Sequence, residues 1–177
     1  VLPVIEAVHK NFPEAFISVD TYYADVAANA VHAGACMVND ISAGMLDENM
    51  LAAVAELRVP YVCMHIKGNP QTMQKNAVYE NVTKEVLDFF ISKIEQCKLA
   101  GIHDIIIDPG FGFGKTIEHN FTLLKNLTVF KMLQKPLLAG ISRKSTVYKT
   151  LGISASEALN GSTVLHTLAL QNGACIL

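Results

Sequence analysis

The sequence predicts an α/β fold in which parallel strands and helices alternate, closed as a (β/α)8 TIM barrel with about six of its eight strands present. Short apolar runs rich in β-branched residues alternate with helical patterns, which is typical of a parallel sheet. Polar residues follow these runs at Asp20, Asn39, Asp108 and Ser142. An open doubly wound sheet places ligands mainly at one switch point, whereas a barrel collects residues from many strand ends at one mouth. The spread over several strand ends therefore favours the barrel.

Up to residue 100, three predicted strands alternate with four predicted helices. Apolar runs such as the one that ends at Asp20 indicate buried strands. Val82, Val86 and Phe90 recur at steps of four and indicate a helix with one buried face, which Gly101 ends. The predicted elements are a helix over 1–10, a strand over 15–19, a helix over 24–33, a strand over 37–38, a helix over 49–57, a strand over 61–64, a polar loop over 67–79 and a helix over 82–100.

Beyond residue 100 the same alternation continues. Three isoleucines at 105–107 indicate a fully buried strand, and Pro136 introduces the next one. Ser154 and Glu157 have the spacing of a capping box, which predicts a helix start. The predicted elements are a strand over 105–107, a helix from 117 to about 132, a strand over 137–141, a helix over 154–172 and a strand over 175–177.

The length of 177 residues suits a single domain over 1–177. A complete barrel takes eight strands and about 250 residues. The chain opens on a helix that no strand precedes and stops inside a strand. We therefore expect it to lack the first two strands of the barrel and the end of the last one.

Composition and charge exclude several classes of partner. The net charge is −2 without a block of like charges, so neither nucleic acid nor a membrane surface is expected. No apolar run approaches the ~18 residues of a membrane span. The histidines lack the spacing of a zinc site, and the cysteines form no C-x-x-C pair, which indicates buried free thiols in a reducing cytoplasm. The cysteines are Cys36, Cys63, Cys97 and Cys175.

The stretch DPGFGFGKT, from Asp108 to Thr116, joins a buried strand to a helix, where an α/β protein usually binds its ligand. It is one residue too short for a Walker phosphate loop and lacks the G-x-G-x-x-G spacing of a dinucleotide fingerprint. A plain loop with a solvated Lys115 is the alternative interpretation. The acid at the end of the strand favours a binding site.

Asp108 can accept two parallel N–H bonds, which suits a heterocycle with adjacent ring N–H and amino donors, such as a pterin or guanine. Asn39 has both a donor and an acceptor, and Asp20 supplies a further acceptor. Each of the three could instead cap the helix that follows it. Their occurrence on three strands favours a shared pocket.

A second cluster, SRKS, follows the strand over 137–141 and lies at a helix start. Ser142, Arg143 and Lys144 suit an anion or carbonyl site, with a solvated basic helix entry as the alternative. Phe111 and Phe113 can flank an aromatic ring. In the MHIKGNPQTMQ stretch, Met64 can pack under a flat ring, and we interpret His65 as a hydrogen-bonded supporting residue rather than a base.

With these motifs in view, the chain resembles the dihydropteroate synthase family of folate biosynthesis. The matching segments run in the family order: SVDT, VNDIS, MHIKGNPQTMQ, DPGFGFGKT, GISRKS and ALNGSTVLHTLAL. The resemblance implies a barrel that joins 6-hydroxymethyl-7,8-dihydropterin diphosphate to para-aminobenzoate, giving 7,8-dihydropteroate and pyrophosphate. It also implies Mg²⁺ assistance, a homodimer and inhibition by sulfonamides.

The resemblance assigns roles to individual positions. It implies that Asp20, Asp108 and Lys144 are catalytic, and that Phe113, Ser142 and Lys144 form the aminobenzoate side. The full set of implied substrate-binding residues is Asp20, Asn39, Ile41, Met64, Asp108, Phe113, Gly140, Ser142 and Lys144.

The family segments that hold magnesium and most of the diphosphate have no counterpart in these 177 residues, so no metal ligand is expected here and the chain as it stands is expected to be inactive. Two alternatives stay open: a pterin-dependent methyltransferase and a non-catalytic pterin-binding remnant. The SRKS cluster and the aromatic glycine loop favour the synthase over the methyltransferase.

Overall fold

The computed structural model describes residues 1–68, 71, 73 and 77–177. The chain divides into two compact units. The first is formed by Val1–Met64 and Ser92–Ile106, and the second by His65–Ile91 and Ile107–Leu177. Part of the expected polar loop over 67–79, including Asn69, Pro70, Thr72 and Gln74 of the MHIKGNPQTMQ stretch, lies outside the described residues.

The first unit is a parallel sheet with helices between its strands. β1 pairs with β2, β2 pairs with β3, and the Tyr61 amide donates to the Asp104 carbonyl where β4 begins. The sheet order is β1-β2-β3-β4. The elements are α1 Leu2–Asn11, β1 Ser18–Asp20, α2 Ala24–His32, β2 Met37–Asp40, α3 Met50–Leu57, β3 Tyr61–Met64, α4 Val82–Ala100 and β4 Ile105–Asp108. The residues of α4 and of β4 are divided between the two units.

Apolar periodicity determines which helix faces are buried. In α2 the buried residues are Ala24, Ala27 and Ala30, which recur at steps of three as one face of a helix does. The stripe predicted for α4 from Val82 and Phe90 is buried throughout. All four residues of β3 and all four of β4 are buried, as expected for strands covered on both faces.

Asp40, the last residue of β2, is fully buried and collects four hydrogen bonds. The Ser42 amide and hydroxyl and the Gly44 amide each donate to its carboxylate at 2.7 Å. The Tyr61 hydroxyl donates at the same distance, and burial raises the pKa of Tyr61 far above its usual range, so the phenol stays a neutral donor. This carboxylate fixes the loop that follows β2.

The second unit continues the parallel pairing through single bridges. Ile107 pairs with Leu137, and Leu138 pairs with Ile176, both in parallel. Its elements are α5 Ile117–Lys125, a 3₁₀ helix over Leu127–Leu133, α6 Ser145–Leu151, a 3₁₀ turn over Ala155–Glu157 and α7 Leu159–Gln171.

Each parallel segment pairs with the next one along the chain, and the order does not reverse anywhere in the described ranges. A doubly wound sheet reverses its order at a switch point, whereas the strands of a (β/α)8 barrel pair sequentially. The predicted α/β barrel class is therefore confirmed. Four of the six predicted strands are regular, and the other two are bridges.

Several predicted boundaries are wrong for local reasons. The strand expected over 137–141 is bridged only at Leu137 and Leu138, and the chain then turns where the Lys144 amide donates to the Ile141 carbonyl. The strand expected from residue 15 begins only at Ser18, and the Phe16 side chain is 93% exposed.

Two helix predictions also need correction. The helix expected to reach residue 132 ends at Lys125, because the Asn126 side chain donates to the Thr122 carbonyl and a 3₁₀ helix follows. The capping box of Ser154 and Glu157 is present, but it closes a 3₁₀ turn. The helix predicted to start there begins at Leu159, as α7.

Among the described residues, the helices are too short or too polar to cross a lipid bilayer.

The Asp40 cluster predicts the effect of removing one donor. Tyr61→Phe deletes one of the four hydrogen bonds to a buried carboxylate, so we expect the free energy of unfolding to fall by about 1–3 kcal/mol. Urea denaturation followed by circular dichroism measures this. Tyr148→Phe is the matched control, because Tyr148 is only half-buried and its hydroxyl has no hydrogen bond in the described structure. Equal unfolding energies for the two variants would contradict the role given to Asp40.

Candidate active site

Asp108 ends β4 and is 6% exposed. Its Oδ1 accepts a hydrogen bond of 2.8 Å from the Gly110 amide. Burial raises the pKa of Asp108 to about 6, while the Gly110 hydrogen bond and the ammonium groups of Lys144 and Lys115 act in the opposite direction. The carboxylate is therefore mostly ionised at neutral pH and loses its charge as the pH falls through about 6.

The loop after Asp108 folds tightly enough to require glycine. At Gly114 φ is +64°, and an added Cβ would lie 2.8 Å from the Lys67 carbonyl oxygen. The Gly112 amide donates to Asn120 Oδ1 at 2.9 Å, which ties the loop to α5. The cap of α5 is Thr116, whose hydroxyl accepts from the His119 amide.

Lys144, the residue just before α6, contacts this loop. Its Nζ donates to the Phe111 carbonyl at 2.7 Å and lies 4.7 Å from the centre of the Phe113 ring. Gly140 lies beside it, since a Cβ added there would be in ordinary van der Waals contact with Nζ, at 3.6 Å. Burial lowers the pKa of Lys144, and the nearby Asp108 opposes that shift. Of the predicted residues, the second unit thus brings together Asp108, Phe113, Gly140 and Lys144.

Lys115 departs from the plain-loop interpretation. Its side chain is 3% exposed instead of solvated, and its Nζ lies 2.9 Å from His65 Nδ1. It also donates to the carbonyls of Gly110 at 3.0 Å and Phe113 at 3.1 Å. Burial lowers the pKa of Lys115 to about 7, which Asp108 opposes.

His65 is hydrogen-bonded as predicted. Its ring contacts Lys115 Nζ and meets the Phe89 ring edge-on, with the ring centres 4.8 Å apart. Burial, followed by the charge of Lys115, lowers the pKa of His65 far below its usual range, so the ring stays neutral. A neutral, buried ring of this kind supports the loop.

The SRKS cluster separates in the fold. Ser142 is exposed. Arg143 adopts φ of 51°, and its amide donates to Ser162 Oγ while its guanidinium donates to the Ser156 carbonyl. Only Lys144 turns toward the Asp108 loop, and the expected pair of cations reduces to one.

The first unit places its predicted residues along β1, β2 and β3. Asp20 and Asn39 are register partners, and Asp20 is exposed. Ile41 follows β2 and is half-buried, whereas Met64, the last residue of β3, is almost completely buried.

The alternative of helix capping is wrong for the three strand-end residues. α2 follows Tyr23 and α3 follows Asn49, neither with a side-chain cap, and α5 is capped by Thr116. In the first turn of α2, the Ala24 amide bonds to Asp47 instead.

Comparison with known proteins identifies the family. The family described as "Pterin binding enzyme" matches residues 1–177. The chain belongs to this family of pterin-binding enzymes. It is 41% identical to the dihydropteroate synthase of Escherichia coli K12 over 179 residues, which cover 100% of this chain and 63% of that protein.

Solved structures of pterin-binding enzymes agree with this assignment. The dihydropteroate synthase of Xanthomonas albilineans, with 4-aminobenzoic acid bound, matches 100% of this chain and 63% of its own at 39% identity and a TM-score of 0.93. The same enzyme has been solved with 7,8-dihydropteroate. The Yersinia pestis enzyme, in complex with a sulfonamide drug, is 38% identical, covers 99% of this chain and 64% of its own, and has a TM-score of 0.95.

For a pterin-binding enzyme, the magnesium implied by the resemblance needs ligands. Within the described part of the chain, no group of three or more His, Cys, Asp or Glu side chains converges as a metal site.

The residue that sequence reasoning missed in this chain is Lys115. A lysine after a glycine loop is usually solvated, and no periodic pattern marks it as buried. The one available signal was its position seven residues after a strand-end acid that needs positive charge nearby.

The buried carboxylate should make the protein less stable when ionised. The pKa of Asp108 is higher in the folded chain than in the unfolded one, so the folded state binds more protons between about pH 4 and 6. Stability contributed by this group is therefore present at low pH and lost as the pH rises through about 6.

We accordingly expect Asp108→Asn to raise the free energy of unfolding by about 1–2 kcal/mol at pH 7, and the gain to vanish near pH 4. Chemical denaturation at both pH values measures it. Asp104→Asn, an exposed acid just before the same strand, is the control and should show no such dependence. A destabilised Asp108→Asn at pH 7 would contradict the burial penalty.

Gly114 and Gly152 form a matched pair for testing the loop. Their φ values are +64° and +66°, but a Cβ at Gly152 meets nothing within 4 Å. Both alanine variants should lose about 1 kcal/mol from the left-handed backbone. Gly114→Ala should lose more, because the Lys67 carbonyl must move. Thermal melts compare the two, and equal losses would mean that the loop tolerates a side chain.

Proposed function

We propose that this chain provides the substrate pocket of a dihydropteroate synthase, which condenses 6-hydroxymethyl-7,8-dihydropterin diphosphate with para-aminobenzoate to give 7,8-dihydropteroate and pyrophosphate. The chain spans 63% of the E. coli relative, and the proposal concerns the whole protein that carries it. The observation that supports it most is the buried, ionised Asp108 beside Lys144 and the Phe113 ring.

Asp108 is suited to the pterin for electrostatic reasons. A buried carboxylate can accept hydrogen bonds from the two parallel N–H groups of a pyrimidine edge, and these bonds are stronger than the ones the same N–H groups make to water. Negative charge at this point also stabilises the positive charge that develops on the pterin as the diphosphate departs. Lys144 is a donor for the ring carbonyl and ring nitrogen on the other side.

The Phe113 ring is proposed as a wall for the arylamine. It lies under Lys144 Nζ, and a ring packed against it would place a carboxylate or sulfonyl group near a cation. This accounts for the binding of para-aminobenzoate and of sulfonamides by one site. Ser142 is exposed and free to contribute a hydroxyl donor.

The remaining assignments rest on the resemblance. Asp20, Asn39, Ile41 and Met64 stay proposed pterin contacts. A requirement for Mg²⁺ stays an expectation, and the steps described above depend on the protein side chains alone.

Assembly and compartment complete the proposal. α7 exposes apolar side chains that a second copy would cover, which supports a homodimer; they are Leu159, Val164, Leu168 and Leu170. None of the four cysteines, all of them within the described residues, forms a disulfide, which supports a reducing compartment such as the cytoplasm.

The test is titration of the chain with a dihydropterin by calorimetry. We expect saturable binding that Asp108→Asn weakens by a hundredfold or more, because an amide presents one acceptor where the carboxylate presents two. Asp104→Asn should bind as the parent does.

Pyrophosphate release by the protein that carries the chain then separates the remaining possibilities. Turnover with para-aminobenzoate supports the synthase. Pterin binding without turnover would support a non-catalytic pterin-binding protein, and a folded chain that binds no pterin would contradict the proposal.

A further inference from the structure

Lys115 is a buried cation for which the proposed reaction has no direct use. Its three shortest contacts, to His65 Nδ1, the Gly110 carbonyl and the Phe113 carbonyl, are 2.9, 3.0 and 3.1 Å long. The His65 carbonyl is more distant, at 3.4 Å. An ammonium group has three N–H donors and no acceptor, so these three contacts use its full capacity.

The acceptors of Lys115 are all uncharged groups. Because the ammonium can only donate, His65 Nδ1 must accept, and the neutral imidazole carries its proton on Nε2. Burying a cation among neutral acceptors is unfavourable compared with a well-packed apolar side chain of similar volume. The hydrogen bonds of Lys115 alone therefore do not explain why a cation is buried here, and the charge that favours it is the Asp108 carboxylate.

The contacts of Lys115 organise the loop that carries the pocket. The Phe113 amide donates to the Gly110 carbonyl at 3.1 Å and so closes a turn. Lys115 donates to the carbonyls of both residues, Gly110 and Phe113, and therefore holds the two ends of this turn together. The turn sets the direction of the Phe113 ring under Lys144. The same turn contains Phe111, whose carbonyl holds the Lys144 ammonium.

We propose that Lys115 is a positioning residue for the pterin and arylamine pocket, which holds the turn of residues 110–113 and supplies positive potential to the Asp108 carboxylate. It acts through Asp108 and Phe113 without touching substrate. The inference rests on the proposed function, because it assigns that pocket a supporting group.

The charge of Lys115 gives the inference a signature that packing alone would not have. Among the described residues, the charged groups that act on Asp108 are Lys144 and Lys115, and both hold the pKa of Asp108 below the value that burial alone would set. Behind Lys115 lies the neutral His65, on which the Lys67 ammonium also acts, and Lys67 is paired with Glu85. Near pH 6 Lys115 is mostly charged, since its pKa is about 7.

The direction of the pH effect follows. Pterin binding needs the ionised carboxylate, so it should decline as the pH falls through about 6. Without the Lys115 charge, the pKa of Asp108 rises further, and binding should decline at a higher pH. A residue that only fills space would leave this midpoint unchanged.

The experiment compares Lys115→Met with Lys125→Met, an exposed lysine on α5. Dihydropterin affinity is measured by calorimetry from pH 5 to pH 8, with circular dichroism at each pH. We expect Lys115→Met to bind about tenfold more weakly at pH 7, the scale on which supporting hydrogen bonds act. Its acid midpoint should move upward by about half a pH unit or more. Lys125→Met should match the parent in both.

Lys115→Gln, which keeps N–H donors but removes the charge, is measured alongside in case the methionine variant does not fold. It should show the same upward shift with a smaller loss of affinity. Parental affinity and midpoint in either folded variant would overturn the inference. Unfolding of both variants would assign Lys115 a structural role only, which overturns it as well.

Failure of the inference is distinguishable from failure of the proposed function. If the parent binds dihydropterin and Asp108→Asn does not, the pocket stands, whatever the Lys115 variants do. If the folded parent binds no dihydropterin at any pH, the proposed function fails and the role of Lys115 fails with it.

Discussion

A buried carboxylate at the end of a parallel strand must be given donors, and this constraint shapes both units of the chain. Asp40 at the end of β2 is satisfied by two backbone amides of the following loop together with two hydroxyl groups. Asp108 at the end of β4 receives one backbone amide, from Gly110. Because loop amides are the nearest donors, each acid dictates the path of the chain that follows it.

The two carboxylates differ in what surrounds them. Asp40 has a full set of hydrogen bonds, which suits a structural role. Asp108 is left with fewer donors and is balanced electrostatically by Lys144 and Lys115, so burial still raises its pKa to about 6. An acid held this way retains capacity to accept hydrogen bonds from a ligand.

Sequence patterns predicted the regular elements well where one physical signal dominates. The stripe of α4 and the apolar runs of β3 and β4 were readable because burial on a periodic face leaves a period in the sequence. Boundaries failed where a single local bond decided them, as at Asn126. In the second unit Phe113 and Gly140 lie near the Lys144 ammonium group. The contacts of Arg143 and Lys115 were not foreseen, since both depend on the direction that a side chain takes after a turn.

By itself, the sequence determined the alternation of strands and helices, the family, and the acids at the strand ends, because these depend on residue type and spacing along the chain. Only the tertiary structure decided which charges are buried and with what partners. Arg143 turned to the Ser156 carbonyl, whereas Lys115 turned inward to His65 and two loop carbonyls. The physical reason is that desolvation and hydrogen-bond supply depend on groups distant in sequence: His65 and Lys115 are fifty residues apart and meet only in the folded chain.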